Sequence, residues 1–220
     1  NLDSYEHIVI DGGSVDGTLE VIKNEKNITK WLSEKDKGIY DAINKGLRIS
    51  RGKYVNTINS GDCYYSSDSL NIIKNYFEEH DISFVFGAVL KKKVYYKYEP
   101  SKMFWTFNFY PAHSSGFFIK KEVHDEIGEY SLKYPCSSDY DFFWRLIKKN
   151  KHKGLSTKKS EIIGVFEPGG FSANYGVFKH IWEETLIRFY NKQNKFVVLA
   201  ILILRVLKNG YKVLINRNNS

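Results

Sequence analysis

Between Glu6 and Phe86 the chain changes its apolar period again and again, and that alternation leaves few folds open. Glu6–Asp11 reads as a strand, and Thr18–Asn24 as a helix capped by Asp16 or Ser14. A second short strand covers Ile28–Leu32. A helix with apolar spacing at Ile39, Ala42, Ile43 and Leu47 covers Ile39–Ser50, and a third strand covers Tyr54–Ile58. Ser67–Glu79 is a helix and Ile82–Phe86 a fourth strand. Strands alternating with helices predict an α/β chain with a mostly parallel sheet and helices on both faces.

After Gly87 the pattern changes. Val94–Tyr98 and Gly116–Lys120 are strand-like, and the aromatic segment MFWTFNFYPAHSS lies between them. Tyr140–Lys149 is amphipathic at helical spacing, a strand falls near Glu161–Phe166, and Pro168–Gly170 breaks the chain before a helix over Val177–Tyr190. No internal repeat and no linker interrupts residues 1–190. The 220 residues suffice for one large domain or two small ones, and 42% hydrophobic residues can fill a substantial core.

Charge placement excludes one function class. The formal net charge is +8, yet after Glu184 there is no acid, while Arg188, Lys192, Lys195, Arg205, Lys208, Lys212 and Arg217 are basic. The rest is close to neutral, whereas a nucleic-acid-binding domain spreads its charge over a folded face. Within the basic tail, Phe196–Leu207 is apolar apart from Arg205. At about 12 residues it is too short to span a bilayer, which takes ~20. With its basic flanks it predicts an interfacial helix on anionic lipid, the alternative being a core or oligomer-contact helix. Cys63 and Cys136 show neither metal-ligand spacing nor a disulfide framework, which points to a reducing, cytoplasmic compartment.

Ligands of doubly wound sheets bind outside the carboxyl ends of strands. Three acidic positions fall there: Asp11 in IVIDGGSVDGT, the Asp36–Asp41 segment, and Asp62 in NSGD. Each alone is an ordinary turn or cap residue; three on one sheet edge describe a site. Gly12 and Gly13 let the backbone pass close to a flat ligand, and Asp11 can accept bonds from ring N–H or sugar hydroxyl groups. Neither G-x-G-x-x-G nor a P-loop is present.

The blocks IVIDGGSVDGT, SEKDKGIYDAINKGLRISRGKYV, INSGDCYY and SSDYDFFWRL, in this order over residues 6–190, resemble the signatures of family 2 glycosyltransferases. The likeness is greatest to the branch that builds bacterial capsule, exopolysaccharide and O-antigen units. It implies a GT-A-type, Rossmann-like fold: a mixed sheet flanked by helices, a nucleotide-sugar half over about 1–90, an acceptor half over about 91–190, and a helical tail over 191–220. By that resemblance Asp11, Gly12 and Gly13 recognise a nucleotide base, and Asp36, Asp41, Asn44 and Gly46 line the donor. Ser60 and Gly61 lead into Asp62, which matches the last acid of a D-x-D-type motif holding Mg²⁺ or Mn²⁺ on the donor diphosphate. Asp139 matches the catalytic base of an inverting transfer, and His113 matches a histidine on the acceptor side; Trp105, in the aromatic segment, can stack on an acceptor sugar or belong to the core. Asp139 and Asp141 also suit a helix N-terminus as caps, and the resemblance sets that reading aside for Asp139 but not for Asp141.

The expected partners are a nucleotide sugar, UDP-linked, and a saccharide or lipid-linked acceptor at the inner membrane face, with no nucleic acid. Two departures accompany the match. The first acid of D-x-D is absent, since Asn59 and Ser60 precede Gly61. The family's opening strand–helix unit of roughly 30 residues is also missing, so a fragment impaired on its own is expected. Alternatives are a non-catalytic nucleotide-sugar binding or assembly subunit and, further off, a sugar-nucleotide pyrophosphorylase.

Overall fold

In a computed structural model, the structure describes residues 5–99, 113–170 and 175–218. The first strand, β1 (Ile8–Asp11), leads through α1 (Thr18–Asn24) to β2 (Lys30–Ser33), which pairs with it in parallel from Ile8↔Lys30 to Asp11↔Ser33. Helix α1 starts behind Gly17 in the left-handed region (φ 89°), which suits a residue without Cβ. Asp16 accepts the N–H of Thr18 one position upstream of that cap, while the hydroxyl of Ser14 turns to Asp11. Ser14 therefore takes no part in capping the helix.

Then follow α2 (Ile39–Ile49), β3 (Tyr54–Asn56), β4 (Cys63–Tyr64), α3 (Ser69–Glu79), β5 (Phe84–Phe86), β6 (Ala88–Leu90) and β7 (Val94–Tyr95). Beyond them lie β8 (Phe117–Lys120), α4 (Lys121–Ile127) and α5 (Ser138–Phe143), the last continuing as a π-helix over Trp144–Lys149. β9 (Gly154–Ser156), β10 (Ile162–Val165), α6 (Val177–Tyr190) and α7 (Lys195–Asn218) complete the order.

The sheets are mixed rather than mostly parallel, which corrects the first expectation drawn from the alternation. One four-stranded sheet has the order β3-β8-β5-β9: β8 lies between β3 and β5 and is antiparallel to both, and β9 is parallel to β5. The other has the order β4-β10-β6-β7, and its one parallel pair is β10 with β6. Periodicity marks where a strand lies and is silent about its neighbour, so the insertion of β8 could not be seen locally. β4, β6 and β9 have two or three residues each, too few to show a period.

The central strands are apolar throughout because both faces are covered. Phe84, Phe86, Phe117 and Ile119 point to one side, where they meet Phe142, Phe143 and Leu146 from α5 and its π-helical extension. Val85 and Phe118 point to the other, against Ile73 and Phe77 of α3 and Ile163 of β10. Full burial of each such side chain is worth roughly 1.5–3 kcal/mol. Much of the chain's aromatic content is spent here, in ring pairs such as Phe117–Phe143 at 4.9 Å and Tyr130–Phe142 at 4.6 Å.

The apolar stretch 196–207 forms part of the 24-residue helix α7. Val198 and Ile201 are buried, and Arg205 turns inward to pair with Glu184 on α6. Phe196, Ile203 and Leu207 are more than half exposed. Among the described residues no helix is long and apolar enough to cross a membrane.

Candidate active site

The site begins at the carboxyl end of β1. Asp11 Oδ2 accepts the N–H groups of Gly13 (3.1 Å) and Ser14 (3.0 Å) and the hydroxyl of Ser33 (2.6 Å), and Oδ1 accepts the hydroxyl of Ser14. The Ser14 and Ser33 hydroxyls, then the backbone donors, hold its carboxyl down at about 2. Asp11 is thus a fixed anion that shapes its own turn. Gly13 stands at φ 88°, and a Cβ on Gly12 would lie 2.6 Å from Asp36 Oδ2, so the loops after β1 and β2 touch.

Past β2, Asp36 accepts the N–H of Gly38 (2.8 Å), and Asp41 Oδ2 accepts that of Lys37 (3.0 Å). The Lys37 N–H leads in holding the Asp41 carboxyl below its ordinary value, helped by the ammonium of Lys45, 3.6 Å away. Two acids therefore fasten one loop to the first turn of α2. Asn44, 1% exposed, gives its amide to Tyr130 O and accepts the Tyr130 N–H, both at 2.9 Å. A Cβ on Gly46 would lie 3.2 Å from Ile10 Cγ1, so this residue lets α2 approach β1. Asn44 and Gly46, expected to line the donor, place the helix through these contacts.

A second cluster forms where β6 and β10 end and β4 begins. Asp62 Oδ1 accepts the N–H of Glu167 (3.0 Å), while Oδ2 is buried without a hydrogen-bond partner. Burial, and then the neighbouring Glu167 charge, raise the Asp62 carboxyl above its ordinary value. Gly61, at φ 92°, brings the chain within van der Waals reach of Glu167, and Ser60 beside it is exposed. His113 stacks on Phe166 at 4.1 Å, with Lys91 Nζ 4.1 Å over the same ring. Burial, reinforced by the Lys91 charge, pushes the imidazole down to about 4, so it is neutral at pH 7. His113 and Asp62 thus share one neighbourhood, whereas Trp105 lies outside the described residues.

The unpartnered Asp62 oxygen suits a divalent cation, and Glu167 offers a second carboxylate nearby. Among the described residues no three His, Cys, Asp or Glu side chains form a metal-holding group. A cation here needs ligand oxygens from the donor to complete its shell, since Mg²⁺ and Mn²⁺ take about six oxygens.

Asp139 stands in the first turn of α5. Its Oδ1 accepts the N–H of Tyr140 (2.8 Å) and the hydroxyl of Tyr40 (3.0 Å), which reaches across from α2. Burial pushes the carboxyl up to about 6, against the pull of those two donors. Asp141 instead pairs with Arg145 one turn on (3.0 Å), in keeping with a structural role. The structure therefore joins Asp11, Gly12, Asp36 and Asp41 in one contiguous group and links Asp139 to it through Tyr40.

Several residues of this region escaped sequence reasoning. Glu183 on α6 accepts the N–H groups of Cys136 (3.1 Å) and Ser137 (2.8 Å), and Tyr175 donates to its other oxygen. His180 Nε2 lies 3.1 Å from Cys136 Sγ and its Nδ1 3.3 Å from Ser137 Oγ. The adjacent acids Glu183 and Glu184 within the helical stretch Val177–Tyr190 were the available signal, and both are buried.

Comparisons with known proteins bear on the family and the fold. The family model for glycosyl transferase family 2 matches residues 1–134, more than half of the chain. A Mycobacterium bovis PGL/p-HBAD biosynthesis glycosyltransferase is 26% identical over 147 residues, which cover 63% of this chain and 56% of that protein. The crystal structure of S. aureus TarS 1–349 in complex with UDP-GlcNAc superposes with a TM-score of 0.64 at 13% identity, covering 94% of this chain and 65% of that one. The same protein in complex with UDP gives 0.60. At such identities the likeness speaks for the fold, a GT-A-like arrangement of mixed sheets flanked by helices. The chain spans between half and two thirds of the length of these relatives.

Proposed function

This chain belongs to glycosyl transferase family 2, and from that premise we propose that it moves a sugar from a UDP-linked donor to a saccharide or lipid-linked acceptor in cell-surface polysaccharide synthesis, with inversion. The observation that carries this reading is Asp139: a half-buried carboxyl titrating at about 6, tied by Tyr40 to the helix whose first turn packs on the Asp11–Asp36 loops. A base poised near the working pH is what proton transfer from an acceptor hydroxyl requires. The crystal structures of a neighbouring fold with UDP and UDP-GlcNAc support the donor class.

In this reading Asp11, with Gly12 and Gly13, holds the nucleotide base, and Asp36 and Asp41 keep the donor loop closed over it. Ser60, Gly61 and Asp62 face the diphosphate. Asp62, with Glu167 beside it, would hold Mg²⁺ or Mn²⁺ there, and the cation would supply neutralisation of the leaving group's charge. Asp139 takes the proton of the acceptor hydroxyl on Oδ2, the oxygen that receives neither the Tyr140 nor the Tyr40 bond. The hydroxyl oxygen then bonds to the anomeric carbon as its bond to the diphosphate breaks and UDP leaves. His113, neutral and flat against Phe166, lines the acceptor side. The basic flank and the exposed apolar face of α7 hold the protein peripherally to anionic lipid at the inner membrane face.

Two titrations test this. Calorimetry with UDP should show binding that Mn²⁺ strengthens, with the strengthening lost in Asp62→Ala. In a screen of UDP-sugars, Asp139→Asn should lower UDP release by about 10²–10⁴ while leaving UDP binding within about twofold of wild type, since a base acts on the transition state. Wild-type release by Asp139→Asn would favour a non-catalytic role for that acid and sink the mechanism. UDP binding with no release from any donor would favour the binding-subunit reading.

A further inference from the structure

Tyr40 lies in the block GIYDAINKG, and its ring is buried in the core cluster against Tyr130, with centroids 5.6 Å apart. Its hydroxyl reaches two acceptors, Asp139 Oδ1 at 3.0 Å and the carbonyl of Cys136 at 3.1 Å. A phenol has one proton to give, so that proton is shared between the acid and the turn that precedes α5. The neighbours in sequence are committed to the donor side: Asp41 clamps Lys37, Asp36 clamps Gly38, and Asp36 lies against Gly12. The loop leading into α2 therefore touches the loop after β1 through Asp36, and the first turn of α2 reaches the acid on α5 through Tyr40.

We propose that Tyr40 is the positioning residue of the transfer step, its phenol fixing Asp139 Oδ1 so that Oδ2 faces the acceptor, and joining the acid to the donor loop. This rests on the assignment of Asp139 as the base. A core Tyr needs some partner for its hydroxyl when buried, and the carbonyl of Cys136 alone would meet that need. The bond to Asp139 is the additional contact. The ionisable groups near Asp139 are Tyr40 from α2, Tyr130 after α4, Cys136 ahead of α5 and Glu184 from α6. Of these, Tyr40 is the one that donates a hydrogen bond to the carboxyl.

The decisive measurement is a carbon-13 NMR titration of the Asp carboxyls in the whole chain, with the Asp139 signal assigned by its loss in Asp139→Asn. In wild type that signal should titrate at about 6. In Tyr40→Phe its midpoint should rise by at least about half a pH unit, because a donor that favours the charged form is gone. UDP release from UDP-GlcNAc or another accepted UDP-sugar should fall about tenfold or more with KM within about twofold, as expected for a group acting on the transition state. The acid limb of its pH profile should follow the NMR midpoint. Installing 3-fluorotyrosine at 40 keeps the shape and makes the phenol a stronger donor, so its midpoint should lie below wild type. This variant also decides the matter if Tyr40→Phe fails to fold. A midpoint unmoved in both variants, with Asp139→Asn inactive, would overturn the inference alone. Full UDP release by Asp139→Asn would overturn the base assignment and this inference with it.

Discussion

Burial gives Asp139 a tighter hold on its proton, and the same shift governs both its chemistry and its effect on stability. The carboxyl titrates at about 6 against 3.8 for an ordinary aspartate, chiefly through burial, with the Glu184 charge adding to it. A group that binds its proton more tightly when folded favours the folded state most below its unfolded pKa, and that advantage is lost as pH rises through the folded pKa. At pH 7.5 the charged Asp139 therefore destabilises the protein, by about 1–3 kcal/mol after allowance for partial solvation. Urea unfolding at pH 7.5 should find Asp139→Asn more stable than wild type by that amount, with the difference closing towards pH 4. An equal stability at both pH values would mean that the carboxylate is well solvated. For the proposed base the charged form is the active one, so UDP release should decline as pH falls through about 6. Asp11 is the opposite case: its own loop holds it at about 2, and it stays charged at any working pH. Its stabilising effect is complete above its ordinary pKa of 3.8 and fades as pH falls towards about 2.

Helix α5 has no side-chain cap of its own, since the Ser137 hydroxyl faces His180 and Asp139 accepts from the residue directly after it. The cap comes from another helix. Glu183 receives the two N–H groups that lead into α5, and Glu184 beside it pairs with Arg205 of α7. Consecutive acids on α6 thus hold helices on two sides, and the turn that carries Asp139 depends on the Glu183 attachment. Glu183→Ala would leave two buried donors without an acceptor, at about 1–3 kcal/mol each. Thermal unfolding should show a loss of several degrees, and UDP release should fall because Asp139 loses its fixed place. Glu183→Gln keeps an acceptor oxygen and should recover most of both. A Glu183→Ala protein with wild-type melting would mean that water replaces the carboxylate at α5.

Over the whole molecule, two four-stranded sheets share one body, and β8, from beyond residue 90, lies inside the sheet that holds β3 and β5. Val198 and Ile201 of α7 are buried, whereas Phe196, Ile203 and Leu207 are exposed, as are Trp182 and Tyr190 of α6. An exposed apolar face with basic flanks and no acid suits an anionic bilayer surface. The protein should sediment with phosphatidylglycerol-containing vesicles and not with phosphatidylcholine alone. Phe196→Ser with Ile203→Ser and Leu207→Ser should abolish that binding. Concentration-dependent dimerisation removed by the same substitutions, with no vesicle binding, would point instead to a second copy of the chain.

The amino-acid sequence determined where β1, α1, α2, α3 and α6 lie, because their periods span enough residues to be local properties of the chain. It also placed Asp11, Asp36 and Asp62 at strand ends, since the order of strand, turn and helix is itself written locally. Tertiary structure decided what those residues do there. Asn44 and Gly46, expected to line the donor, also hold α2 in place, because Tyr130 and Ile10 arrive from other parts of the chain. Arg205 looked like an interruption of an apolar face and became its inward anchor once Glu184 stood opposite. The antiparallel insertion of β8 and the raised pKa of Asp139 have the same origin. Pairing and desolvation depend on groups distant in sequence, and only the folded chain brings those groups within hydrogen-bonding and packing distance.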